Sequence, residues 1–82
     1  MFLAAQICIY PLRQPSLSPA IQTALDVFRS HGLEVTTGAM SSLVLGDDEA
    51  LFAAIEEAFK EIAEQGDVVM TVTLSNACPV SR

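Results

Sequence analysis

Short hydroxyl side chains alternate along the last apolar run of the chain. Thr71, Thr73 and Ser75 occupy every second position there, and Met70, Val72 and Leu74 lie between them. Because successive side chains of a β-strand point to opposite faces, the run predicts a strand with one apolar face and one hydroxyl face. Hydroxyls donate and accept hydrogen bonds, and their small size lets another molecule approach closely. The strand therefore predicts a polar binding surface.

Polar groups of other kinds alternate in an apolar run near the start of the chain. Gln6, Cys8 and Tyr10 supply an amide, a sulfur and a phenol ring. Added to the hydroxyls, they form the set that a planar heteroaromatic ligand needs, a contact surface with a few fixed donors and acceptors. The predicted ligand-binding residues, with two candidates from neighbouring segments, are Gln6, Cys8, Tyr10, Ser42, Thr71, Thr73, Ser75 and Asn76.

Two features of this set have a second interpretation. Threonine is a good strand former, so a row of hydroxyls is also typical of a strand that only faces water. Asn76 is equally a common turn residue, here before Ala77, Cys78 and Pro79. The amide, sulfur and ring on the first strand favour a site over a wet surface.

Residues that could catalyse a reaction are few and form no catalytic pattern. His31, the single histidine, precedes a predicted helix end, where histidine usually complements the helix dipole. Ser41 and Ser42 lack the glycines that surround a nucleophilic serine. The acidic run 47–49 is interpreted as a helix start, because an apolar helical run follows it without calcium-loop spacing. We therefore expect a protein that is not an enzyme and needs neither a metal nor a cofactor.

Composition limits the class of protein. The 82 residues make one domain, residues 1–82, and 51% of them are hydrophobic, which is apolar for so small a chain. No apolar stretch approaches the roughly 20 residues of a membrane-spanning helix, and no signal peptide is recognisable. A net charge of −6 and scattered basic residues argue against nucleic-acid binding. We expect a cytoplasmic protein whose two cysteines, Cys8 and Cys78, are reduced and whose surplus apolar surface faces a second copy.

The elements that position the candidate residues follow the order β-α-β-β-α-β. Periodicity and turn residues predict strands at about 3–10, 34–37, 40–45 and 68–75, with helices between them over about 18–31 and 48–64. Ser18 is the expected N-cap of the first helix, and Asp47 or Asp48 that of the second. The buried stripe of the second helix is predicted to contain Leu51, Ile55, Ala58, Phe59 and Ile62.

Right-handed crossovers place both helices on one face of a four-stranded antiparallel sheet, the ferredoxin-like arrangement of the α+β class. Ile7 and Ile9 should face the helices, whereas the polar residues of the first and fourth strands should face away from them. Ser42 is expected to join the polar face, although the apolar third strand leaves its register open. The same face of another subunit would cover this surface most simply and leave a partly polar crevice between two sheets.

Three segments together resemble the YkoF-like thiamine-binding protein family. They are residues 9–12 (Ile-Tyr-Pro-Leu), Met40-Ser41-Ser42 with Gly46, and the run from Val69 to Pro79. The resemblance implies a ferredoxin-like domain without catalytic activity that binds thiamine or its hydroxymethylpyrimidine moiety. It also implies a homodimer or homotetramer, because some relatives carry two such domains in one chain. The shared segments contain Tyr10, Ser42, Thr71, Thr73, Ser75 and Asn76.

This chain departs from the family at one position. Single-domain relatives often have a carboxylate before the glycine that closes the third strand, and this chain has Leu45 there. If that carboxylate pairs with the positively charged thiazolium ring of thiamine, Glu34 is the only nearby replacement. Two other functions stay open, a regulatory module that senses a small metabolite such as an amino acid, and a purely structural oligomerisation domain.

Overall fold

The element order of the structure, a computed structural model that describes residues 1–38 and 41–77, confirms the predicted β-α-β-β-α-β pattern. The elements are β1 (Phe2–Pro11), α1 (Ser18–Ser30), β2 (Glu34–Thr37), β3 (Ser42–Asp47), α2 (Asp48–Ala63) and β4 (Val68–Ser75). The strands form one antiparallel sheet in the order β2-β3-β1-β4, so β1 and β3 are central as predicted. Both helices lie on one face, which gives the ferredoxin-like fold.

The core lies between the two helices and the sheet face they cover. Ile7 of β1, Val44 of β3, Phe28 of α1 and Leu51 of α2 are all less than 2% exposed. Alanines from both helices, among them Ala24 and Ala58, are fully buried in the same cluster. Their small side chains let the helices approach each other and the sheet closely, which suits the close packing of protein interiors.

The helix starts differ in detail from those predicted. Ser18 belongs to α1 and is not its N-cap; Leu17 holds that position, and no side chain caps the helix. Pro19 is tolerated in the first turn because the N–H it lacks has no partner there. Asp47 is the N-cap of α2, one of the two predicted residues, but its carboxylate does not bond to the helix. Instead it accepts a hydrogen bond from the Met1 amino group at 3.2 Å.

Two further predictions of this kind were wrong. β3 does not end at Gly46 but continues through it to Asp47, because Gly46 still pairs with Leu3 in the sheet. Phe59 is 40% exposed, and Ala54 takes its place in the buried stripe of α2. Met40, the predicted start of β3, and Ala39 of the predicted 38–39 turn lie outside the described residues.

The open face of the sheet as a candidate site

The central strand β1 and the edge strand β4 bring most of the predicted residues together on the sheet face that the helices leave uncovered, here called the open face. Gln6 pairs directly with Thr73, Cys8 with Thr71, and Ala4 with Ser75. Directly opposed residues of antiparallel strands point to the same side of the sheet. The register therefore confirms the predicted grouping of the β1 polar residues with the hydroxyl row of β4.

Ser42 does not belong to this group, and the expectation that it joins the open face was wrong. Ser42 pairs with Ile7, which is 1% exposed, and therefore lies on the helix-facing side. β3 instead presents Leu43 and Leu45 to the open face, opposite Gln6 and Ala4. Leu43, Val44 and Leu45 are all apolar, so alternation along this strand carries no signal that separates its two faces.

The polar centre of the open face consists of two groups of contacting side chains, Gln6 with Ser41, and Tyr10 with Cys8 and Thr71. The Gln6 amide donates a hydrogen bond to the Ser41 hydroxyl, with 3.3 Å between Nε2 and Oγ. Cys8 lies against the phenol of Tyr10 and raises the pKa of that group by hydrogen bonding and by charge, whereas Thr71 lowers it through a hydrogen bond. An amide, a thiol and three hydroxyls thus lie within one small area of the sheet.

Apolar side chains surround this polar centre. Phe2, Leu43, Tyr10 and Val69 are each between 42% and 48% exposed in the single chain. Hydrophobic side chains grouped in this way are typical of a surface that meets another molecule. The sequence analysis missed Leu43, and a β3 register fixed in advance would have been needed to find it.

The acidic side chains of the described open face lie at one end of it. Glu34 of β2 pairs directly with Leu45 of β3, and Asp47 pairs with Phe2. Glu34 is therefore a neighbour of the position where single-domain relatives often carry a carboxylate. Its place on the open face agrees with the proximity expected from the sequence. The Met1 ammonium lies 3.2 Å from Oδ1 of Asp47 and offsets the charge of that carboxylate. Glu34 is therefore the group at this end of the described face that favours a cation.

Asn76 and Tyr10 lie at opposite ends of the candidate set. Because β4 runs antiparallel to β1, the pair Tyr10–Val69 and the pair Ala4–Ser75 are six residues apart along each strand. That separation is roughly 20 Å, too far for one ring system to contact both Tyr10 and Asn76. Asn76 lines a separate shallow depression with Phe52, Leu74 and Ser75.

Ser42 lines a cavity on the helix side of the sheet that sequence reasoning did not foresee. Its volume is about 220 Å³, and it lies where the start of α1 meets the end of β1 and the segment before β3. Its lining combines apolar side chains with hydroxyl-bearing residues: Ile7, Ile9, Tyr10, Leu17, Ile21, Thr37, Gly38, Ser41 and Ser42. Tyr10 and Ser41 belong both to this lining and to the polar centre of the open face, so the two regions meet there.

His31 lies in the helix layer. Its Nε2 is 2.8 Å from Oε1 of Glu57, and this hydrogen bond lowers the pKa of the Glu57 carboxyl. Across residues 1–38 and 41–77, no three potential metal ligands come together. The helices in that part of the chain are too short or too polar to cross a membrane. The open face and the neighbouring cavity are the candidate ligand sites.

Comparison with known proteins agrees with the fold and with the family resemblance. The sequence profile of the YkoF-related family matches residues 3–81. The chain is 30% identical over 70 residues to the UPF0045 protein MJ1052 of Methanocaldococcus jannaschii, covering 84% of this chain and 70% of that protein. The crystal structure of MJ1052 superposes with a TM-score of 0.85 at 27% identity, over 98% of this chain and 84% of that one.

Two more distant structures share the fold. Protein SP2199 of Streptococcus pneumoniae gives a TM-score of 0.86 at 14% identity, over 99% of this chain and 92% of that one. A Thermotoga maritima protein described as a "putative thiamine biosynthesis/salvage protein" gives a TM-score of 0.80 at 17% identity, over 92% of this chain and 83% of that one.

Proposed function

The chain belongs to the YkoF-related family, and from this premise we propose that it binds thiamine or its hydroxymethylpyrimidine moiety without transforming it. The description of the Thermotoga maritima neighbour supports the thiamine-related ligand class. The absence of a nucleophile and base pair in the sequence supports binding rather than catalysis. The cytoplasm is the compartment we propose for this function.

The observation that carries the proposal is the pairing of Gln6 with Thr73 and of Cys8 with Thr71. A pyrimidine ring offers nitrogen acceptors and an amino donor along its edge. An amide and hydroxyls match such an edge because they donate and accept hydrogen bonds. The exposed ring of Tyr10 and the side chain of Leu43 offer apolar contact beside these groups. Ligand sites generally combine an apolar lining with a few fixed polar groups in this way.

A second copy of the chain completes the proposed site. The apolar side chains around the polar centre are about half exposed in one chain, and a single flat sheet encloses no ligand. Two open faces packed against each other would lie about 10 Å apart, and a ring system could then be held between them. The proposed protein is therefore a homodimer or homotetramer, and the ligand lies in the crevice between the facing sheets.

Thr73→Val tests the position of the ligand. Valine keeps the shape of threonine and removes its hydroxyl, so a ligand group that bonds there loses its partner. That loss costs about 1–3 kcal/mol, which corresponds to roughly five- to over a hundredfold weaker binding. Stability should hardly change because valine is an equally good strand former. Calorimetry with thiamine and with hydroxymethylpyrimidine measures the effect.

Ser42→Ala is the matched control, since it removes a hydroxyl from the helix-side cavity and leaves the open face intact. We expect its affinities to equal those of the unaltered protein. If Ser42→Ala weakens binding and Thr73→Val does not, the ligand occupies the cavity and the open-face site is wrong. If neither ligand binds the unaltered protein while amino acids do, the chain is a metabolite-sensing module. Binding of no small molecule at all would favour a structural oligomerisation domain.

A further inference from the structure

The basic side chains of the described residues lie away from the open face or beside an acid. Arg29 belongs to α1 and Lys60 to α2, so both are in the layer on the other side of the sheet. Lys60 also donates a hydrogen bond to Glu56 at 2.8 Å. Arg82, the fourth basic residue of the sequence, lies outside the described residues. Arg13 is the remaining basic side chain, and it follows the end of β1.

Arg13 lies just beyond the Tyr10 end of the open face, and an acidic residue offsets its charge. Its guanidinium donates a hydrogen bond to the carboxylate of Asp67, the residue before β4. Leu12 donates its N–H to the carbonyl of the same residue at 2.9 Å, which holds the two loop segments side by side. Because opposite charges in contact largely cancel at longer range, this pair presents little net charge to a ligand on the sheet.

The opposite end of the open face has more negative than positive groups. The Met1 ammonium lies 3.2 Å from Oδ1 of Asp47 and 3.4 Å from Oδ1 of Asp48, so two carboxylates share one positive charge. Glu34 adds a carboxylate on β2, beside Leu45. The chain as a whole has a net charge of −6, and its field has the same sign as this end. Neither end of the described open face therefore holds a basic group without an acidic partner.

The two proposed ligands, thiamine and hydroxymethylpyrimidine, each carry a primary alcohol that can be esterified with phosphate. Such an ester adds about two negative charges at neutral pH. We propose that the open-face site binds the free alcohols and discriminates against their phosphate esters. The inference rests on the proposed function, because it concerns the form of the ligand that the same site takes. An ester would place its phosphate near Glu34 or near the pair of Arg13 and Asp67, and neither supplies an uncompensated positive charge.

The distance to Glu34 determines the size of the discrimination. A pyrimidine ring over Gln6 lies roughly 12 Å from that carboxylate, two strand spacings across the sheet and two residues along it. A phosphate that extends towards Glu34 lies closer, at roughly 8 Å, the separation of diagonal neighbours on adjacent strands. Two negative charges at these distances from one carboxylate in water weaken binding roughly three- to sixfold.

Calorimetry on the unaltered protein compares each alcohol with its ester: thiamine with thiamine monophosphate, and hydroxymethylpyrimidine with its phosphate. The ionic strength is kept at about 10 mM, where the Debye length is about 30 Å and leaves these charges unscreened. We expect each ester to bind roughly three- to sixfold more weakly than its alcohol. Esters that bind as tightly as the alcohols, or more tightly, overturn the inference and leave the proposed function intact. If none of these compounds binds, the proposed function itself is wrong.

Glu34→Gln separates the effect of charge from that of size. Glutamine has nearly the same shape as glutamate and no charge, so the ratio of alcohol affinity to ester affinity should fall towards one. Glu61→Gln is the matched control, since it removes the same charge from α2, on the other side of the sheet. Its affinity ratio should equal that of the unaltered protein. An unchanged ratio in Glu34→Gln, or an equal fall in Glu61→Gln, would refute discrimination by the Glu34 carboxylate.

Salt and Arg13→Gln test the same inference from two other sides. At 1 M salt the Debye length is about 3 Å, so the affinity ratio should again approach one. A ratio that persists there would mean that size excludes the phosphate and that charge does not. Arg13→Gln leaves Asp67 without its partner and should not strengthen the binding of either ester. Esters that bind more tightly than the alcohols to the unaltered protein, and lose that gain in Arg13→Gln, would place the phosphate at the Tyr10 end and contradict the proposal.

Discussion

The two faces of the sheet are made by alternate residues of the same strands, yet they differ in every physical property. On the helix-facing side of β1, Leu3, Ala5 and Ile7 are 6%, 0% and 1% exposed. On the open side, Phe2 is 48% exposed, and Gln6 and Cys8 bring polar groups to the centre. The helix-facing side is buried within the single chain. The open side is too apolar for water and too polar for a core, which is the character of a surface completed by another molecule.

The largest expected difference between the faces is in the free energy of unfolding, and it is measured by comparing Ile7→Ala with Leu43→Ala. Ile7 is buried in the core, so its truncation should lower the free energy of unfolding by about 2–5 kcal/mol. Leu43 is 42% exposed in the single chain, so Leu43→Ala should cost less than about 1 kcal/mol in dilute protein. Urea unfolding measures both values.

Protein concentration sharpens this comparison. If a second copy covers the open face, the cost of Leu43→Ala should grow as the protein is concentrated, because association adds to stability by mass action. The cost of Ile7→Ala relative to the unaltered protein should stay constant. Equal costs for the two variants at the lowest concentration would mean that the faces do not differ as described.

Adding one carbon atom to a side chain on each face should give a smaller difference in stability between the two faces. A Cβ at Gly46 would overlap the Leu33 side chain on the helix-facing side. Overpacking of this kind typically costs about 1–3 kcal/mol, so Gly46→Ala should be destabilising by that amount. Ser75→Thr adds the same single carbon on the open face, where Ser75 is exposed, and should change stability by less than about 0.5 kcal/mol. Thermal unfolding of both variants tests this, and a neutral Gly46→Ala would show that Leu33 moves aside freely.

The sequence predicted the two faces well where polarity alternates and poorly where it does not. β1 and β4 each mix apolar and polar residues with a period of two, so the grouping of Gln6 with Thr73 followed from the pattern. β3 has Leu43, Val44 and Leu45 in succession, and either register buries a leucine or a valine. Ser42 was therefore placed on the wrong face, and only the observed pairing with Ile7 corrects it.

Packing between elements could not be inferred from any single segment. Phe59 has the helical spacing of a buried residue but is 40% exposed, whereas Ala54 of the same helix is fully buried. The cavity beside Ser42 is a space left between α1, β1 and the segment before β3. Its size depends on how these elements meet, and no local pattern of polarity encodes that.

Leu45→Glu would add a carboxylate at the acidic end of the open face. It should affect the binding of thiamine and of hydroxymethylpyrimidine differently. Leu45 pairs with Ala4, so the change places a carboxylate diagonally across from Gln6 on the neighbouring strand, roughly 8 Å away. At that distance a unit charge in water attracts a cation by roughly 0.5 kcal/mol, or about 2.4-fold in affinity. Thiamine carries a cationic thiazolium and should bind more tightly, whereas neutral hydroxymethylpyrimidine should not. Leu45→Gln is the uncharged control, and an equal gain for Leu45→Gln would show that charge is not responsible.

Glu34→Gln gives the smallest expected effect and tests whether the native carboxylate already serves this role. Glu34 lies beside Leu45 on β2, two strand spacings across the sheet and two residues along it from Gln6, roughly 12 Å away. The attraction of a cation at that distance is roughly 0.35 kcal/mol in water, so thiamine should bind about 1.8-fold more weakly to the variant. Affinity for hydroxymethylpyrimidine should be unchanged. Added salt should abolish the difference, because the Debye length falls to about 3 Å at 1 M. A loss that persists in high salt, or that affects both ligands equally, would mean that Glu34 acts on the fold of the edge strand and not on the ligand's charge.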